Sequence, residues 1–77
     1  MKPEKSGVLY WDSGTGRISL NGYGMHCGQV FQLWSDQDGQ WHQVRIEHSD
    51  RWYLVSSCDE FSGLTTDEIL GRIAKQV

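Results

Sequence analysis

Histidine and cysteine are the side chains of this 77-residue chain best suited to chemistry. His26 and Cys27 are adjacent, and both residue types ligate zinc. Adjacent ligands are poorly spaced for chelation, and the sequence has no Cys-x-x-Cys pair. We therefore predict no metal and no cofactor, with Cys27 packed as a small apolar side chain and His26 bonded to a turn. A zinc-stabilised module stays open as an alternative, and its further ligands would be His42, His48 and Cys58.

The sequence does not indicate a catalytic thiol or a pair of catalytic carboxylates. Nucleophilic catalysis needs a base aimed at the thiol, whereas neighbours on an extended strand point to opposite faces. Several carboxylates fall in turns, where short acidic side chains bond backbone N–H groups. The sequence therefore predicts a protein that is not an enzyme. The turn carboxylates are Asp12, Asp36, Asp38 and Asp50.

Aromatic residues are the most distinctive part of the composition. Four Trp, three Tyr and two Phe are many for a chain of this length. Trp, Tyr and Arg are also the residues most enriched at binding hot spots. Each ring considered alone is expected to belong to the core. Considered together, the rings predict at least one exposed aromatic patch, which we expect to bind a protein. The candidate binding residues are Trp34, Trp41, Arg45, Trp52 and Tyr53.

Charge and apolar content limit the other partners. The net charge is −3, without a basic stripe, which argues against affinity built on phosphate neutralisation. No apolar segment reaches the roughly 20 residues that span a bilayer. Two cysteines make no disulfide framework, and the first residues lack the pattern of a secretory signal. We expect a cytoplasmic protein with reduced thiols and no membrane role, and the composition leaves its oligomeric state open.

Residues 41–55 (WHQVRIEHSDRWYLV) predict a β-hairpin, around which the rest of the chain is arranged. Apolar and polar side chains alternate up to His48, and an aromatic and β-branched run begins at Trp52. A two-residue connection would place Ile46 opposite Tyr53, whereas a three-residue connection would place it opposite Leu54. We favour the second register, with Trp52 and Leu54 pointing inward.

Further strand patterns precede this hairpin. Residues 8–11 and 17–20 flank a Gly-rich loop, and residues 30–34 precede another turn. About five short strands predict a mainly β, small antiparallel SH3-like barrel over residues 7–58. Residues 1–6 are predicted to be a disordered tail. Ile18 is expected to point inward and Ser19 outward, and the predicted core is Leu9, Ile18, Leu20, Phe31, Leu33, Val44, Ile46, Leu54 and Val55.

Residues 59–77 are the acidic part, predicted to be a connection followed by a short C-terminal helix. Thr65 and Glu68 have capping-box spacing, and apolar residues recur at helical intervals beyond them. These signals predict a helix over residues 66–76, capped by Thr65. Gly71 disfavours a helix interior, and the competing interpretation makes residues 69–73 a last strand.

Several short motifs resemble those of a small bacterial domain of unknown function found in Gram-positive genomes, phages and mobile elements. They are MHCG at 25–28, RIE at 45–47 and WYLV at 52–55, together with Trp41 and the TGR turn at 15–17. The resemblance covers residues 7–55. It implies an uncharacterised family and supplies no activity to carry over.

Two binding functions follow as hypotheses. The first is a protein–protein interaction or inhibitor module from a phage or mobile element. The second is a nucleic-acid-binding barrel, in which rings stack on bases while arginines hold phosphates. The arginines of that alternative are Arg17, Arg45 and Arg51.

Overall fold

Two antiparallel β-sheets contain about half of residues 6–77, the part of the chain that this computed structural model describes. The elements are β1 (Ser6–Val8), β2 (Tyr10–Asp12), β3 (Arg17–Leu20), β4 (Tyr23–Gly24), β5 (Val30–Ser35), β6 (Gln40–His48), β7 (Trp52–Val55), α1 (Thr66–Ile69) and β8 (Ile73–Gln76). The larger sheet has the order β1-β8-β5-β6-β7, and the smaller sheet has the order β2-β3-β4. Residues 1–5 of the predicted tail lie outside the described residues, and Ser6 begins β1.

The hairpin of β6 and β7 adopts the three-residue register. Ile46 lies opposite Leu54 and His48 opposite Trp52, so residues 49–51 form the connection. Leu54 is buried, and the partly buried Trp52 packs against the core. The predicted inward orientation of Trp52 and Leu54 is confirmed.

The first hairpin joins β2 to β3 through a turn that Asp12 organises. The Asp12 carboxylate accepts the N–H of Gly14 at 2.9 Å, and its carbonyl oxygen accepts the N–H of Gly16 at 2.8 Å. Ile18 is buried as predicted. The prediction that Ser19 points into solvent is wrong, because Ser19 is buried in the central strand of its sheet, opposite Tyr10 of β2 and Gly24 of β4.

The core lies between the two sheets and the segment after β7. Eight of the nine predicted core residues are buried. The ninth, Val55, is 37% exposed because it lies opposite Arg45, on the side of the sheet away from the core, and its assignment to the core is wrong. The sequence-based list also missed four buried apolar residues, which are Met25, Phe61, Ile69 and Ala74.

The C-terminal helix is much shorter than predicted. Thr65 caps it, and the Glu68 carboxylate accepts the Thr65 N–H at 3.1 Å. The chain then turns at Gly71, whose φ of +89° is typical of the residue that follows a helix end. Residues 73–76 form β8, which pairs with both β1 and β5. The prediction of helix over residues 66–76 is therefore wrong beyond Ile69.

The sheets do not close into the predicted barrel. A closed barrel requires its first and last strands to pair, but β1 and β7 are the two edges of the five-stranded sheet. The edge of β7 that does not pair with β6 forms hydrogen bonds with the segment after β7. Leu54 N–H donates to the Leu64 carbonyl oxygen at 2.9 Å, and Gly63 N–H donates to that of Leu54 at 2.9 Å. The mainly β class and the antiparallel pairing are confirmed, whereas the closed barrel is wrong.

Candidate binding surface

One side of the five-stranded sheet faces away from the core, and we call it the outer face. Its residues follow from strand alternation, because Leu33, Val44 and Ala74 are buried and their sequence neighbours point to the opposite side. Cross-strand register aligns these neighbours between strands. The outer face carries Val30, Gln32, Trp34, Trp41, Gln43, Arg45, Glu47, Tyr53, Val55, Ile73 and Lys75.

A tryptophan pair lies on the outer face. Trp34 of β5 and Trp41 of β6 are cross-strand neighbours, with ring centroids 5.3 Å apart and planes inclined at 66°. This edge-to-face arrangement is one that aromatic pairs prefer. The Trp34 indole N–H donates to the Asp36 carboxylate at 2.9 Å. The hydrogen bond fixes the Trp34 ring, which is only partly buried.

Lys75 completes this aromatic group from β8. Its ammonium nitrogen lies 4.6 Å from the Trp41 ring centroid, within the range of a cation–π interaction. The indole N–H of Trp41 is shielded from solvent, and no acceptor for it lies among residues 6–77. Sequence reasoning missed Lys75 because its segment was assigned to a helix. A strand assignment would have placed it outward, next to the buried Ala74.

An ion pair continues the outer face beyond the tryptophans. Arg45 Nε lies 2.6 Å from Glu47 Oε2, and half of the Arg45 side chain is exposed. The same Glu47 carboxylate accepts a hydrogen bond from the Cys27 thiol at 3.1 Å. Cys27 is exposed, so the prediction that it packs as a small apolar side chain is wrong. Val30 and Val55 lie opposite Arg45 on the two neighbouring strands, at 36% and 37% exposure. Apolar and charged groups are therefore interleaved here.

The structure brings together four of the five predicted binding residues. Tyr53 joins Trp34, Trp41 and Arg45 on the outer face, where it lies opposite Glu47. Tyr53 also forms a β-bridge with Thr65, so it occupies the covered edge of the sheet. The fifth residue, Trp52, lies on the core-facing side of the sheet instead.

Trp52 lines a separate cleft of about 610 Å³, which we call the loop cleft. Its walls are the turn at 15–17, His26, Cys27, His48 and Trp52. The imidazole of His48 contacts the Trp52 indole, with ring centroids 4.7 Å apart. Residue motifs that are distant in the sequence therefore meet at one concave surface.

Three of the potential zinc ligands, His26, Cys27 and His48, line the loop cleft, but they are not grouped as metal ligands. Among residues 6–77, no three His, Cys, Asp or Glu side chains are grouped so that they could hold a metal ion. His42 instead bonds the Asp38 carboxylate at 2.7 Å, and Cys58 packs against the core.

The hydrogen bond between His42 and the Asp38 carboxylate also lowers the pKa of Asp38 and is the main cause of that shift. A hydrogen bond from the Gln40 backbone N–H lowers the pKa further.

The arginines of the nucleic-acid alternative occupy different places. Arg17 lines the loop cleft, and Arg45 lies on the outer face. Arg51, in the hairpin connection, lines a depression beside residues 65–67.

The sequence-based prediction selected aromatic residues that are less exposed than others, because strand patterns do not show which rings a short sheet leaves exposed to solvent. The aromatic residues with the largest exposure are Tyr10 at 43%, Trp11 at 44% and Tyr23 at 70%.

Sequence and structure comparisons place this chain in a family. It belongs to the family described as Domain of unknown function (DUF5348), which matches residues 7–73, and the expected membership of an uncharacterised family is confirmed. The chain is also similar to a protein from Ruminococcus gnavus whose crystal structure is known, with 33% sequence identity and a TM-score of 0.67. That similarity covers 92% of this chain and 99% of the other. No curated protein matches.

Within residues 6–77, no helix has the length and apolar character needed to cross a membrane.

Proposed function

We propose that this protein is a non-enzymatic binding module that docks another protein on the outer face of its five-stranded sheet. The observation that carries the proposal is the Trp34–Trp41 pair, which lies on an open face beside Lys75 and Arg45. Trp and Arg contribute disproportionately to binding energy when a partner excludes water from them. The surface therefore has the composition of an interaction hot spot.

The rings are held in place before binding, which favours affinity. The Trp34 indole N–H donates to the Asp36 carboxylate, and Lys75 lies over the ring of Trp41. Immobilising a side chain on binding costs about 0.5–1.5 kcal/mol, and groups that are already ordered avoid much of that cost. A pre-organised aromatic pair is thus better suited to recognition than the same rings on a loop.

The surface also indicates the chemistry of its partner. The side chains of Lys75 and Arg45 are cationic, while Glu47 is occupied by Arg45 and Cys27. A partner that covers the tryptophans with apolar side chains and offers a carboxylate to Lys75 would complement the face. We propose that this chain is an accessory or inhibitor module, encoded by a phage or mobile element, and that it binds a partner of this kind in the cytoplasm.

The partner can be trapped by placing a photo-cross-linking residue at Gln43, which is exposed on the outer face. Ser62, exposed in the connection after β7, is the matched control position. We expect one protein of the native host to be cross-linked from position 43 and not from position 62. The same product from both positions would place the interface elsewhere, and a cross-linked second copy of this chain would make the surface a self-association interface.

Alanine variants then test the residues individually against the partner so identified. Trp34→Ala should weaken the complex by about 2 kcal/mol or more, roughly thirtyfold, with a smaller loss of folding stability. Trp52→Ala should lower stability without a selective effect on binding to this face, because its ring packs against the core. If neither Trp34→Ala nor Trp41→Ala acts selectively on binding, the proposed surface is wrong.

Added salt separates this proposal from the nucleic-acid alternative. Contacts dominated by apolar rings should change little with ionic strength, whereas phosphate contacts weaken steeply. A steep salt dependence of outer-face binding would contradict a protein partner of the proposed chemistry. The SH3-like strand topology stays a prediction of the sequence, and the proposed surface does not depend on it.

A further inference from the structure

The loop cleft is formed by three segments that are far apart in the sequence. The turn at 15–17 forms one wall, His26 and Cys27 form the second, and the end of the β6–β7 hairpin supplies His48 and Trp52. The cleft has a volume of about 610 Å³ and is widely open to solvent. The outer face lies on the opposite side of the sheet, so the cleft is a second site and not part of the proposed docking surface.

Hydrogen bonds position the middle wall before any ligand arrives. Gly28 N–H donates to the Ile46 carbonyl oxygen at 2.7 Å, and Ile46 N–H donates to that of Gln29 at 3.0 Å. The Gln29 side-chain oxygen also accepts the His26 N–H at 3.1 Å. The segment is thereby anchored to β6, and His26, exposed at its outer end, is held at the cleft.

Arg17 gives the loop cleft a positive charge. Its guanidinium donates through Nη1 to the Met25 carbonyl oxygen at 3.1 Å, which orients the group and leaves its other N–H donors available. Among residues 6–77, no carboxylate forms an ion pair with Arg17, and the cleft lining contains no Asp or Glu. A partly buried guanidinium that no described carboxylate pairs with therefore favours an anionic ligand at this position.

Trp52 adds an aromatic surface to the same cleft. Its indole is partly exposed, and the neighbouring His48 ring fixes it at a centroid distance of 4.7 Å. Planar bases stack on such rings. A guanidinium and an indole that line one cleft are complementary to a phosphate joined to a planar base.

We propose that the loop cleft binds a nucleotide, either free or as one unit of a single strand. The phosphate lies against Arg17 and the imidazole of His26, and the base lies against Trp52. A bare anion would use Arg17 and leave Trp52 without a contact. An uncharged aromatic compound would leave the Arg17 charge without a partner.

The probes for this proposal are adenosine monophosphate, adenosine, inorganic phosphate and a short oligothymidylate, each titrated into the full chain. Adenosine monophosphate should shift amide signals of residues 15–17, 26–28 and 48–52 in ¹⁵N-resolved NMR spectra. It should also bind at least about tenfold more tightly than adenosine or phosphate, because it alone satisfies both groups. A preference for oligothymidylate would identify the ligand as a strand unit, and a preference for the monophosphate would identify a free nucleotide.

Variants at the cleft are compared with a matched arginine that lies in neither proposed site. Arg17→Gln and His26→Ala should weaken nucleotide binding, the first by about tenfold or more. Arg72→Gln should leave it unchanged, because Arg72 lines a different depression, beside Gln37 and Glu60. Trp52→Phe keeps an aromatic ring in the core and should reduce binding through its smaller stacking surface. Because His26 is exposed, His26→Ala tests the cleft even if a change at Trp52 unfolds the chain.

Three outcomes would overturn the proposal. The first is phosphate binding as tight as nucleotide binding, which would make the cleft a plain anion site. The second is that millimolar nucleotide leaves the amide signals of the cleft unmoved. The third is that Arg72→Gln weakens binding as much as Arg17→Gln, which would place the ligand outside the cleft.

Discussion

Ile46 lies directly opposite Leu54 in the β6–β7 register, and both side chains are almost completely buried. Val55, the next residue on β7, lies opposite Arg45 and is 37% exposed. One position along the strand therefore separates a core residue from a surface residue, as the period of two in a strand requires.

This register predicts very different costs for two truncations. Ile46→Ala should lower the free energy of unfolding by about 2–5 kcal/mol, because it leaves a cavity in a small core. Val55→Ala should change it by less than about 1 kcal/mol, because little apolar surface is lost. Urea unfolding monitored by tryptophan fluorescence measures both values. Similar costs for the two variants would show that the register has slipped by one residue.

The sequence predicted the hairpin well because its information is local. Alternation places Val44 and Ile46 on one side of β6 and Trp41 and Arg45 on the other. Between the two possible registers, the connection of three residues is the one that buries Leu54. Polarity alone misplaced Val55, since a β-branched residue at the end of a strand fits either face.

The C-terminal strand could not be predicted in the same way. The apolar spacing of residues 69–77 fits a helix, whereas the partners of β8 are β1 and β5, which lie far away in the sequence. Pairing with β1 and β5 prevailed over the local pattern. The candidate sites depend on the same distant contacts, because cross-strand register aligns Trp34 with Trp41 and loop packing brings Arg17 and Trp52 to one cleft.

Two buried serines offer a test of hydrogen-bond satisfaction. Ser35 donates to the Glu60 carboxylate at 2.6 Å, whereas the Ser19 hydroxyl has no partner among residues 6–77. Ser35→Ala should cost about 1–3 kcal/mol, because a charged acceptor loses its donor. Ser19→Ala should leave stability unchanged or raise it by about 1 kcal/mol, because it removes an unpaired polar group. Equal losses in denaturant titrations would mean that the Ser19 hydroxyl is bonded after all.

The Asp38–His42 pair predicts a pH effect near the β5–β6 turn. Hydrogen bonding from His42 holds the pKa of Asp38 below its ordinary value. A depressed carboxyl pKa contributes stability that is present above the pKa of the unfolded chain and is lost as the pH falls through the folded value. The stability difference between the wild type and His42→Leu should therefore shrink as the pH falls through the folded pKa of Asp38.

Carbon-detected NMR titration of the Asp38 carboxyl provides the direct measurement. In His42→Leu its pKa should rise toward the ordinary value, while His48→Leu serves as a control because His48 lies beside Trp52. An unchanged Asp38 titration in His42→Leu would remove His42 as the cause of the shift.

The effect of Gly71→Ala on folding stability distinguishes the observed short helix from the predicted long helix, because the two structures predict opposite signs for it. In a helix spanning residues 66–76, Gly71→Ala would stabilise the chain by roughly 1 kcal/mol, the difference in helix propensity. Gly71 instead has a φ of +89°, and an added Cβ would meet no atom within 4 Å, so backbone strain alone sets the cost. Gly71→Ala should therefore destabilise the chain by about 1–2 kcal/mol. Gly71→Asn should cost less, because asparagine tolerates positive φ better than other non-glycine residues. Thermal unfolding of the three proteins gives the order, and an alanine variant more stable than the wild type would restore the helix and remove β8 from the sheet.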